Sequence, residues 1–358
     1  MVLESGDAVA EAPKHRLQRR VKQRRRKRRN DKRQNQNRNQ KQSGGGKNRG
    51  LGAADCTVCA KGGAFGSIQA AIDAANAGDT VTVCSGTYTE DLSITKNLTL
   101  RGNDPSVVSI VVGAGTSSVV TIAPNVTATI KDMAFGRGVG TLTVAPQRVG
   151  GGIYNQGTLT LDFVTIGENT ATLGGGIYND FEATLFLSNG SSLAANNIAT
   201  ERGGAIFNDG QLTVDEAFVD SNTAAMNGGG ILQQRGQITL QNGAVIDGNT
   251  AKNGGEVCLL SHPQQNMPGL TVIDSAISNN LVSEGGGGIF NEDGAVTLQA
   301  GTVFSNTAGG AVTLDAESAV VRERPEQLHR DGRLRGVART LSPGDEAAPR
   351  PWTTTSTS

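Results

Sequence analysis

Four aspartates stand at recurring positions of the sequence and are best suited to acid–base chemistry: Asp162, Asp215, Asp220 and Asp247. Cleavage of a glycosidic bond uses two carboxyl groups about 5 to 9.5 Å apart. If successive repeats stack as strands about 4.8 Å apart, Asp162 lies beside Asp215, and Asp220 lies beside Asp247. Each pair would then share a proton or hold a cation such as Ca²⁺. Outward carboxylates are more often solvated charges, so we predict no catalytic residue and no cofactor, with Ca²⁺ as the alternative.

Other motifs that catalysis requires are missing from the sequence. Three basic residues, Arg202, Arg235 and Lys252, lie within the strict repeats as partners for the aspartates. We find no phosphate-binding loop, no nucleophile elbow, no Ser-His-Asp set and no glycine-rich nonapeptide that binds Ca²⁺. The residue types therefore favour a structural or binding protein over an enzyme.

The four cysteines, Cys56, Cys59, Cys84 and Cys258, fit a disulfide better than a metal site. A pair spaced as Cys56 and Cys59 indicates zinc when a second pair accompanies it, and the chain has no second pair. We predict a disulfide between Cys84 and either Cys59 or Cys56, which implies an oxidising compartment. Cys258 replaces an aromatic residue of its repeat, so we expect it to fill a packing position.

A pattern recurs six times between residues 150 and 310, in copies such as IGENTATLGGGIYN, LAANNIATERGGAIFN and ISNNLVSEGGGGIFN. It combines an apolar residue, two spacers, Asn, a variable stretch, a glycine pair and an apolar pair. Its isoleucine positions are 23 to 32 residues apart and are occupied by Ile153, Ile177, Ile206, Ile231, Val257, Ile289 and Val312. A period in this range is the signature of a solenoid.

Each repeat contains three short strand patterns, illustrated by GGGIYN, GTLTLD and FVTIGENTA. Alternation with period two directs one set of side chains inward and places Thr158 and Thr160 outward. An aromatic content of only 4% with 49 glycines also fits many short strands and tight turns. We predict an all-β chain wound as a parallel β-helix, with an inward set that begins Ile153, Leu159, Leu161 and Ile166.

Asparagines recur at two corners of the predicted coil, where stacked side-chain amides can exchange hydrogen bonds from turn to turn. One predicted ladder consists of Asn155, Asn179, Asn208 and Asn291. The other consists of Asn169, Asn222, Asn249 and Asn306, with Asn196 or Asn197 and Asn279 or Asn280 in the same register. We interpret both ladders as structural.

Aromatic residues follow the isoleucine position in four repeats: Tyr154, Tyr178, Phe207 and Phe290. In-register turns would stack them on one face of the coil. We interpret this stack as structural, and the alternative is an exposed strip that binds sugar.

A short amphipathic helix precedes the repeats, with apolar residues at helical spacing: Ile68, Ala71, Ile72 and Ala75. Ser67 is the predicted N-cap and Gly78 the predicted stop, and residues 80–83 then alternate as a strand. A solenoid requires a cover over its first turn. We therefore predict that this helix caps the N-terminal end of the coil.

Charge divides the chain into three segments. Residues 1–50 hold 17 Lys and Arg against 4 Asp and Glu, residues 51–321 hold 9 against 24, and residues 322–358 hold 7 against 5. We predict a disordered basic arm with a Gly-rich linker in residues 1–50. The β-helix takes 51–321, with its cap and first turns in 51–105 and its strict repeats in 150–312. Residues 322–358 form an irregular tail, and its Arg- and Pro-rich composition suggests the hypothesis that it is out of frame.

Two parts of the sequence resemble known families. The tandem copies of residues 150–312 resemble the repeats of chlamydial polymorphic outer-membrane proteins and, more broadly, of bacterial secreted right-handed parallel β-helix proteins. Residues 65–102, with IQAAIDAAN, GTYTE and LTLRG, resemble the opening of pectin methylesterases. Those esterases use two aspartates, two glutamines and an arginine in motifs such as QAVAL, DFIFG and LGRPW, which are absent here. The resemblance therefore implies a right-handed β-helix and not esterase activity.

These observations predict a non-enzymatic, secreted or cell-surface β-helix that acts as a monomeric adhesive or interaction scaffold. Its partner would be an extracellular polysaccharide or a protein on a host or other cell surface. One alternative is a polysaccharide-active enzyme of the pectin lyase-like fold, or a carbohydrate-binding module. Another is binding of a polyanion through residues 14–49, driven by counterion release. No apolar stretch reaches the length of a transmembrane helix.

Overall fold

The computed structural model describes residues 57–59, 63–104, 109–194, 196–252, 257–260, 268–283, 287–292, 294–304, 306–308 and 320–323. The basic arm, Cys56 and the tail beyond residue 323 lie outside them. The described residues form one helix and 35 strands that wind as a parallel β-helix, which confirms the predicted all-β fold. The helix has seven residues, and no described helix has the length and apolar character needed to cross a membrane.

Two sheets contain the longest stacks of described strands, numbered here along the chain. Sheet 1 has ten: β1 (Thr80–Val83), β4 (Leu98–Gly102), β7 (Thr127–Lys131), β12 (Thr158–Asp162), β16 (Thr184–Ser188), β20 (Gln211–Asp215), β24 (Gln237–Gln241), β28 (Gly269–Ile273), β32 (Ala295–Gln299) and β35 (Val320–Glu323). Sheet 2 has nine: β2 (Gly86–Thr89), β5 (Ser109–Val112), β8 (Met133–Gly136), β13 (Thr165–Gly167), β17 (Ser192–Ala194), β21 (Phe218–Asp220), β25 (Val245–Asp247), β29 (Ala276–Ser278) and β33 (Thr302–Phe304).

The other two sheets have eight described strands each. Sheet 3 contains β9 (Thr141–Val144), β10 (Gln147–Val149), β14 (Thr170–Leu173), β18 (Ile198–Arg202), β22 (Thr223–Ala224), β26 (Thr250–Ala251), β30 (Leu281–Val282) and β34 (Thr307–Ala308). Sheet 4 contains β3 (Leu92–Ile94), β6 (Val120–Ile122), β11 (Ile153–Asn155), β15 (Ile177–Asn179), β19 (Ile206–Asn208), β23 (Ile231–Gln233), β27 (Val257–Leu259) and β31 (Ile289–Asn291). The hairpin β9–β10 is antiparallel and begins sheet 3.

The number of strands in a turn changes along the coil. The first two turns have three strands, one each in sheets 1, 2 and 4, whereas a turn of the strict repeats has four. The prediction of three strands in each repeat was therefore wrong. The segment FVTIGENTA divides into β13 and β14, because Glu168 adopts a φ of 59° and the side chain of Asn169 is buried at the bend.

The core lies inside the coil and consists of aliphatic columns that repeat from turn to turn. In sheet 1 one column is Leu100, Ile130, Leu161, Leu187, Val214, Leu240 and Val272. All seven side chains are fully buried. Burial of an aliphatic side chain of this size contributes about 1.5 to 3 kcal/mol, so the repeated column stabilises every turn.

Helix α1 (Ile68–Ala74) packs on β1 and β3 and covers the N-terminal end of the coil. The side chain of Ser67 accepts a hydrogen bond from the N–H of Ala70 (3.2 Å), as the predicted N-cap requires. The carboxylate of Glu90 also accepts hydrogen bonds from the N–H groups of Ile68 and Gln69, both at 2.9 Å. The first turn of the helix is thus held by a residue of the coil beneath it.

A disulfide joins Cys59 to Cys84 across 5.1 Å between Cα atoms. It links the segment before α1 to the connection between β1 and β2. Cys258 is a free thiol with no exposed surface in the packing position expected from the sequence. Burial raises the pKa of the Cys258 thiol to about 12.

Asp91 ties the loop between β5 and β6 to the first turn. Its carboxylate accepts hydrogen bonds from the N–H groups of Ala114 (2.8 Å) and Ser117 (3.2 Å), and from the hydroxyls of Thr116 (2.6 Å) and Ser117 (3.1 Å). Partial burial acts to raise the pKa of Asp91, but these hydrogen bonds favour the charged form and lower the pKa overall.

We expect acid to weaken this contact. A carboxylate whose pKa is lower in the folded state stabilises the fold above its unfolded pKa of about 3.9, and the contribution is lost as the pH falls through the folded value. Asp91→Asn should therefore lower the free energy of unfolding by about 1 kcal/mol at neutral pH. The difference from the parent protein should shrink in strong acid. Urea titrations at neutral and acid pH measure this, with the exposed Asp73→Asn as a control, and an equal loss at both pH values would contradict it.

Candidate functional site

The asparagine ladder between sheets 2 and 3 runs through six consecutive turns. Side-chain amides donate to the Oδ1 of the next residue along Asn169, Asn197, Asn222 and Asn249, at 2.8 to 2.9 Å. The backbone N–H of Asn249 donates to Asn280 (2.9 Å), whose amide donates to Asn306 (2.6 Å). Of the alternatives left open by the sequence, Asn197 and Asn280 are the ladder members, because Asn196 and Asn279 occupy the preceding positive-φ positions.

The second ladder lies between sheets 4 and 1 and is shorter. Asn155 donates to Asn179 (2.7 Å), Asn179 to Asn208 (2.6 Å), and Asn208 to the Oε1 of Gln233 (2.6 Å). Leu259 takes the next position and separates Gln233 from Asn291. Asn291 Oδ1 is consequently a buried acceptor without a hydrogen-bond partner in the described part of the chain.

The structure does not bring Asp162 and Asp215 together on neighbouring turns. Asp162 pairs in register with Lys131 on one side and with Ser188 on the other, and its carboxylate lies 3.4 Å from the Lys131 amine. Asp215 lies two turns away and accepts hydrogen bonds from Gln241 (3.1 Å) and Asn242 (2.9 Å). This predicted pair was wrong, because the intervening turn carries Ser188 at the equivalent position.

Asp220 and Asp247 do occupy matching positions on β21 and β25. Asp247 is buried, and its Oδ1 accepts hydrogen bonds from the Ser278 hydroxyl and from the Asn279 amide, both at 2.7 Å. These contacts connect it to the following turn of the coil. No group of three or more His, Cys, Asp or Glu side chains with a metal-binding arrangement occurs among the described residues.

A different set of polar and aromatic residues converges on the corner between sheets 4 and 1. We call it the corner site, and it consists of Tyr154, Gln156, Tyr178, Asp180, Phe181, Asp209 and Arg235. Gln156, Asp180 and Asp209 each follow a ladder asparagine, so they lie one above another on successive turns. This column was not predicted, since its members differ in type and the corners differ in length.

One corner is longer than its neighbours. Four residues separate Asn179 from Thr184, whereas two separate Asn155 from Thr158 in the turn before. The additional residues are Phe181 and Glu182, and both are exposed. The insertion therefore places an exposed aromatic ring at this corner of the coil.

Asp180 is fixed from two sides. Its Oδ2 accepts hydrogen bonds from the Tyr154 hydroxyl (2.6 Å) and from the Gln156 amide (3.3 Å), while its Oδ1 accepts the N–H of Phe181 (2.8 Å). Burial and the negative charge of Asp180 both raise the pKa of Tyr154. The Tyr154 hydroxyl therefore remains a hydrogen-bond donor to this carboxylate.

Asp209 lies beneath the insertion with only 3% of its side chain exposed, and Arg235 reaches back one turn to form a two-point ion pair with it. The guanidinium carbon of Arg235 is 4.6 Å from the centre of the Phe181 ring. The hydrogen bond to Asp209 raises the pKa of Arg235. The guanidinium is thus held between a buried carboxylate and an aromatic face, the geometry of a cation–π contact.

The predicted aromatic stack is present at its first three members. The Tyr154 and Tyr178 rings meet edge to face with centres 5.7 Å apart, and the Tyr178 and Phe207 rings stack at 4.9 Å. Leu232 and Cys258 continue the column before Phe290. Burial, then the charges of Asp180 and Asp209, raise the pKa of Tyr178, and Arg235 only partly opposes this. The stack is mostly buried, so its rings pack beneath the exposed residues of the corner site and offer little surface to a ligand.

The aromatic surface open to solvent lies on the same turn as the insertion. Among the aromatic side chains whose exposure is described, Phe181 and Phe186 are the two exposed ones, at 49% and 39%. Phe186 projects from β16, which begins just after the insertion. One turn thus combines two open rings with the carboxylate of Asp180, which suits noncovalent binding of a ligand with apolar and hydrogen-bonding faces.

Comparisons with known proteins concern the fold. The sequence matches no protein-family model and no curated protein. Structures of similar architecture include the pectin methylesterase from Aspergillus niger in its penultimately deglycosylated form, with a TM-score of 0.45 and 14% identity over 76% of this chain and 92% of the enzyme. The deglycosylated form gives 0.41 and 13%, over 74% and 89%. The resemblance to outer-membrane protein repeats stays a prediction.

Proposed function

We propose that this chain is a secreted or cell-surface β-helix that binds a polysaccharide at the corner site without cleaving it. The observation that carries the proposal is the exposed ring of Phe181 next to the hydrogen-bonded carboxylate of Asp180, with a second exposed ring, Phe186, on the same turn. A sugar ring offers an apolar C–H face to an aromatic ring and hydroxyl donors to a carboxylate.

Binding is a better interpretation of the corner site than ester or glycoside cleavage. Pectin methylesterases, which the first turns resemble, also use aspartates, glutamines and an arginine. Here, however, Asp209 is 3% exposed and ion-paired with Arg235, so it is not presented to a substrate as a nucleophile or base. Asp180 and the exposed Glu182 are the carboxylates that a ligand can reach. Both oxygens of Asp180 already accept hydrogen bonds, from Tyr154, Gln156 and the Phe181 N–H, so Asp180 is placed to bind a ligand and not to act as a general base.

Location outside the cell is part of the proposal and is supported by the disulfide between Cys59 and Cys84. Disulfides persist in oxidising compartments and are rare in the cytosol of mesophiles. We further propose that the protein acts as a monomer, since one chain completes the corner site.

Phe181→Ala should lower affinity for the bound polysaccharide about tenfold, because it removes the most exposed ring of the site. Titration calorimetry against soluble neutral, cationic and anionic polysaccharides measures this. Leu142→Ala is the matched control, because Leu142 is 53% exposed and lies on a different sheet. This variant should bind the polysaccharide as tightly as the parent protein. Unchanged affinity in Phe181→Ala, with parent-like thermal unfolding, would contradict the proposal.

A second candidate function is polyanion binding through residues 14–49. The excess of 17 Lys and Arg over 4 Asp and Glu in residues 1–50 favours it. Binding to a polyanion by counterion release weakens steeply with salt. Salt-dependent DNA binding that disappears when residues 1–50 are deleted would support this function, and binding that survives the deletion would exclude it.

A further inference from the structure

The charges of the corner site do not cancel. Asp180 and Asp209 supply two carboxylates of the site, and the exposed Glu182 adds a third next to it. Arg235 forms its two-point ion pair with Asp209. The negative charge of Asp180 and of the exposed Glu182 therefore remains at the surface, beside Phe181. Asp180 and Asp209 lie on neighbouring turns, about 4.8 Å apart along the axis. Three carboxylates against one guanidinium leave two negative charges, so this surface attracts positively charged groups.

The corner site already binds one cationic group, the guanidinium of Arg235. Its two contacts, an aromatic ring and a carboxylate, are the contacts that a cationic ligand would make. Arg235 lies against the Phe181 ring at 4.6 Å while it pairs with a carboxylate of the column. Asp180 presents the preceding carboxylate of the same column, at the base of the same insertion. Carboxylates and aromatic faces together attract ammonium groups as well as guanidinium groups. The negative charge of Asp180 therefore favours positive charge on the ligand.

Building on the proposed polysaccharide binding, we infer that the corner site selects polymers that bear protonated amino groups, such as a glucosamine polymer, over neutral and uronic acid polymers. The amino group would pair with Asp180, and the ring that carries it would rest on Phe181. The carboxylates of a uronic acid polymer would instead meet Asp180 and Glu182 with like charge. A neutral N-acetylated polymer would retain the ring contact and lose the ion pair.

The test is titration calorimetry of the whole protein with three hexasaccharides: deacetylated glucosamine, N-acetylglucosamine and galacturonic acid. At low salt and a pH at which the amine is protonated, we expect the deacetylated hexamer to bind about tenfold more tightly than the acetylated one. Asp180→Asn should remove that preference, because Asn keeps the shape and loses the charge. Affinity for the acetylated hexamer should change little.

Glu168→Gln is the matched control, since it removes one carboxylate charge at another corner of the coil, where Glu168 meets Arg137. The basic arm is present in every variant, so its attraction for galacturonate and its repulsion of glucosamine cancel in the comparison with Asp180→Asn. Equal affinity for the two glucosamine forms, or a preference unchanged by Asp180→Asn, overturns the inference and leaves the proposed function standing. Absence of binding to every saccharide overturns both.

Discussion

Replacing Asn222 by Leu is expected to lower the free energy of unfolding by about 3 kcal/mol. Asn222 is 1% exposed, and its Oδ1 accepts the amide of Asn197 (2.9 Å). Its own amide donates to the carbonyls of Leu193 and Asp220, both at 2.9 Å, and to Asn249 (2.8 Å). Leucine has a similar volume and none of these groups. The variant leaves polar atoms of three turns buried with fewer partners, and each lost partner costs about 1 to 3 kcal/mol.

Thr223→Val is the control for this variant. Thr223 is the next residue, its side chain is exposed on β22, and the change removes one hydroxyl at the surface, so we expect an effect within about 0.5 kcal/mol. Equilibrium urea unfolding of both variants gives the comparison. If Asn222→Leu lost no more stability than Thr223→Val, the ladder would contribute little to the fold, and our structural interpretation of the asparagines would be wrong.

The ladders were predictable because each is a property of one repeated position. The spacing of Asn169, Asn222 and Asn249 showed that they share a register, and burial of an amide in a coil leaves neighbouring amides as its partners. The choice between Asn196 and Asn197 could not be made from sequence. It depends on which of the two adjacent residues takes the left-handed conformation, and both residue types are asparagine.

The strand count and the pairing of Asp162 with Asp215 show what the repeat pattern alone does not determine. The bend at Asn169 follows one positive-φ residue, Glu168, and nothing in the type of that residue marks it. The sequence pattern predicts that Asp162 and Asp215 are neighbours because it does not reveal the turn that lies between them. That turn carries Ser188 at the equivalent position. The repeat length varies from 23 to 32 residues, so spacing alone does not show whether two residues lie on neighbouring turns. That assignment requires every turn between them to be recognised.

The corner site was missed because it is a property of stacking and not of any one repeat. Gln156, Asp180 and Asp209 differ in type, and Phe181 belongs to an insertion that alignment of the repeats places in a gap. One signal was available: each of these polar residues directly follows a ladder asparagine. Comparison of that single position along the repeats would have placed Asp180 above Asp209. It would not have shown Arg235 reaching back a turn, which depends on side-chain conformation.

Arg235→Met is expected to destabilise the fold by about 3 to 5 kcal/mol, because it leaves Asp209 as a buried charge with its ion-pair partner removed. Asp209→Asn in the same chain should recover about 2 kcal/mol of that loss, since the neutral amide needs no counter-ion. A double-mutant cycle in urea measures the coupling between the two side chains. The matched control is Arg137→Met, because the Arg137 and Glu168 side chains are 72% and 64% exposed with 3.5 Å between their charged atoms.

Removal of that exposed pair should cost less than about 1 kcal/mol. Additive effects of Arg235→Met and Asp209→Asn would contradict the prediction, and so would a loss as small as that of Arg137→Met. In either case Arg235 would be free to leave Asp209. The corner site would then hold a mobile cation of its own beside Asp180, and selection for a cationic ligand would lose its electrostatic basis. The stability of one ion pair and the proposed ligand chemistry therefore depend on the same contact.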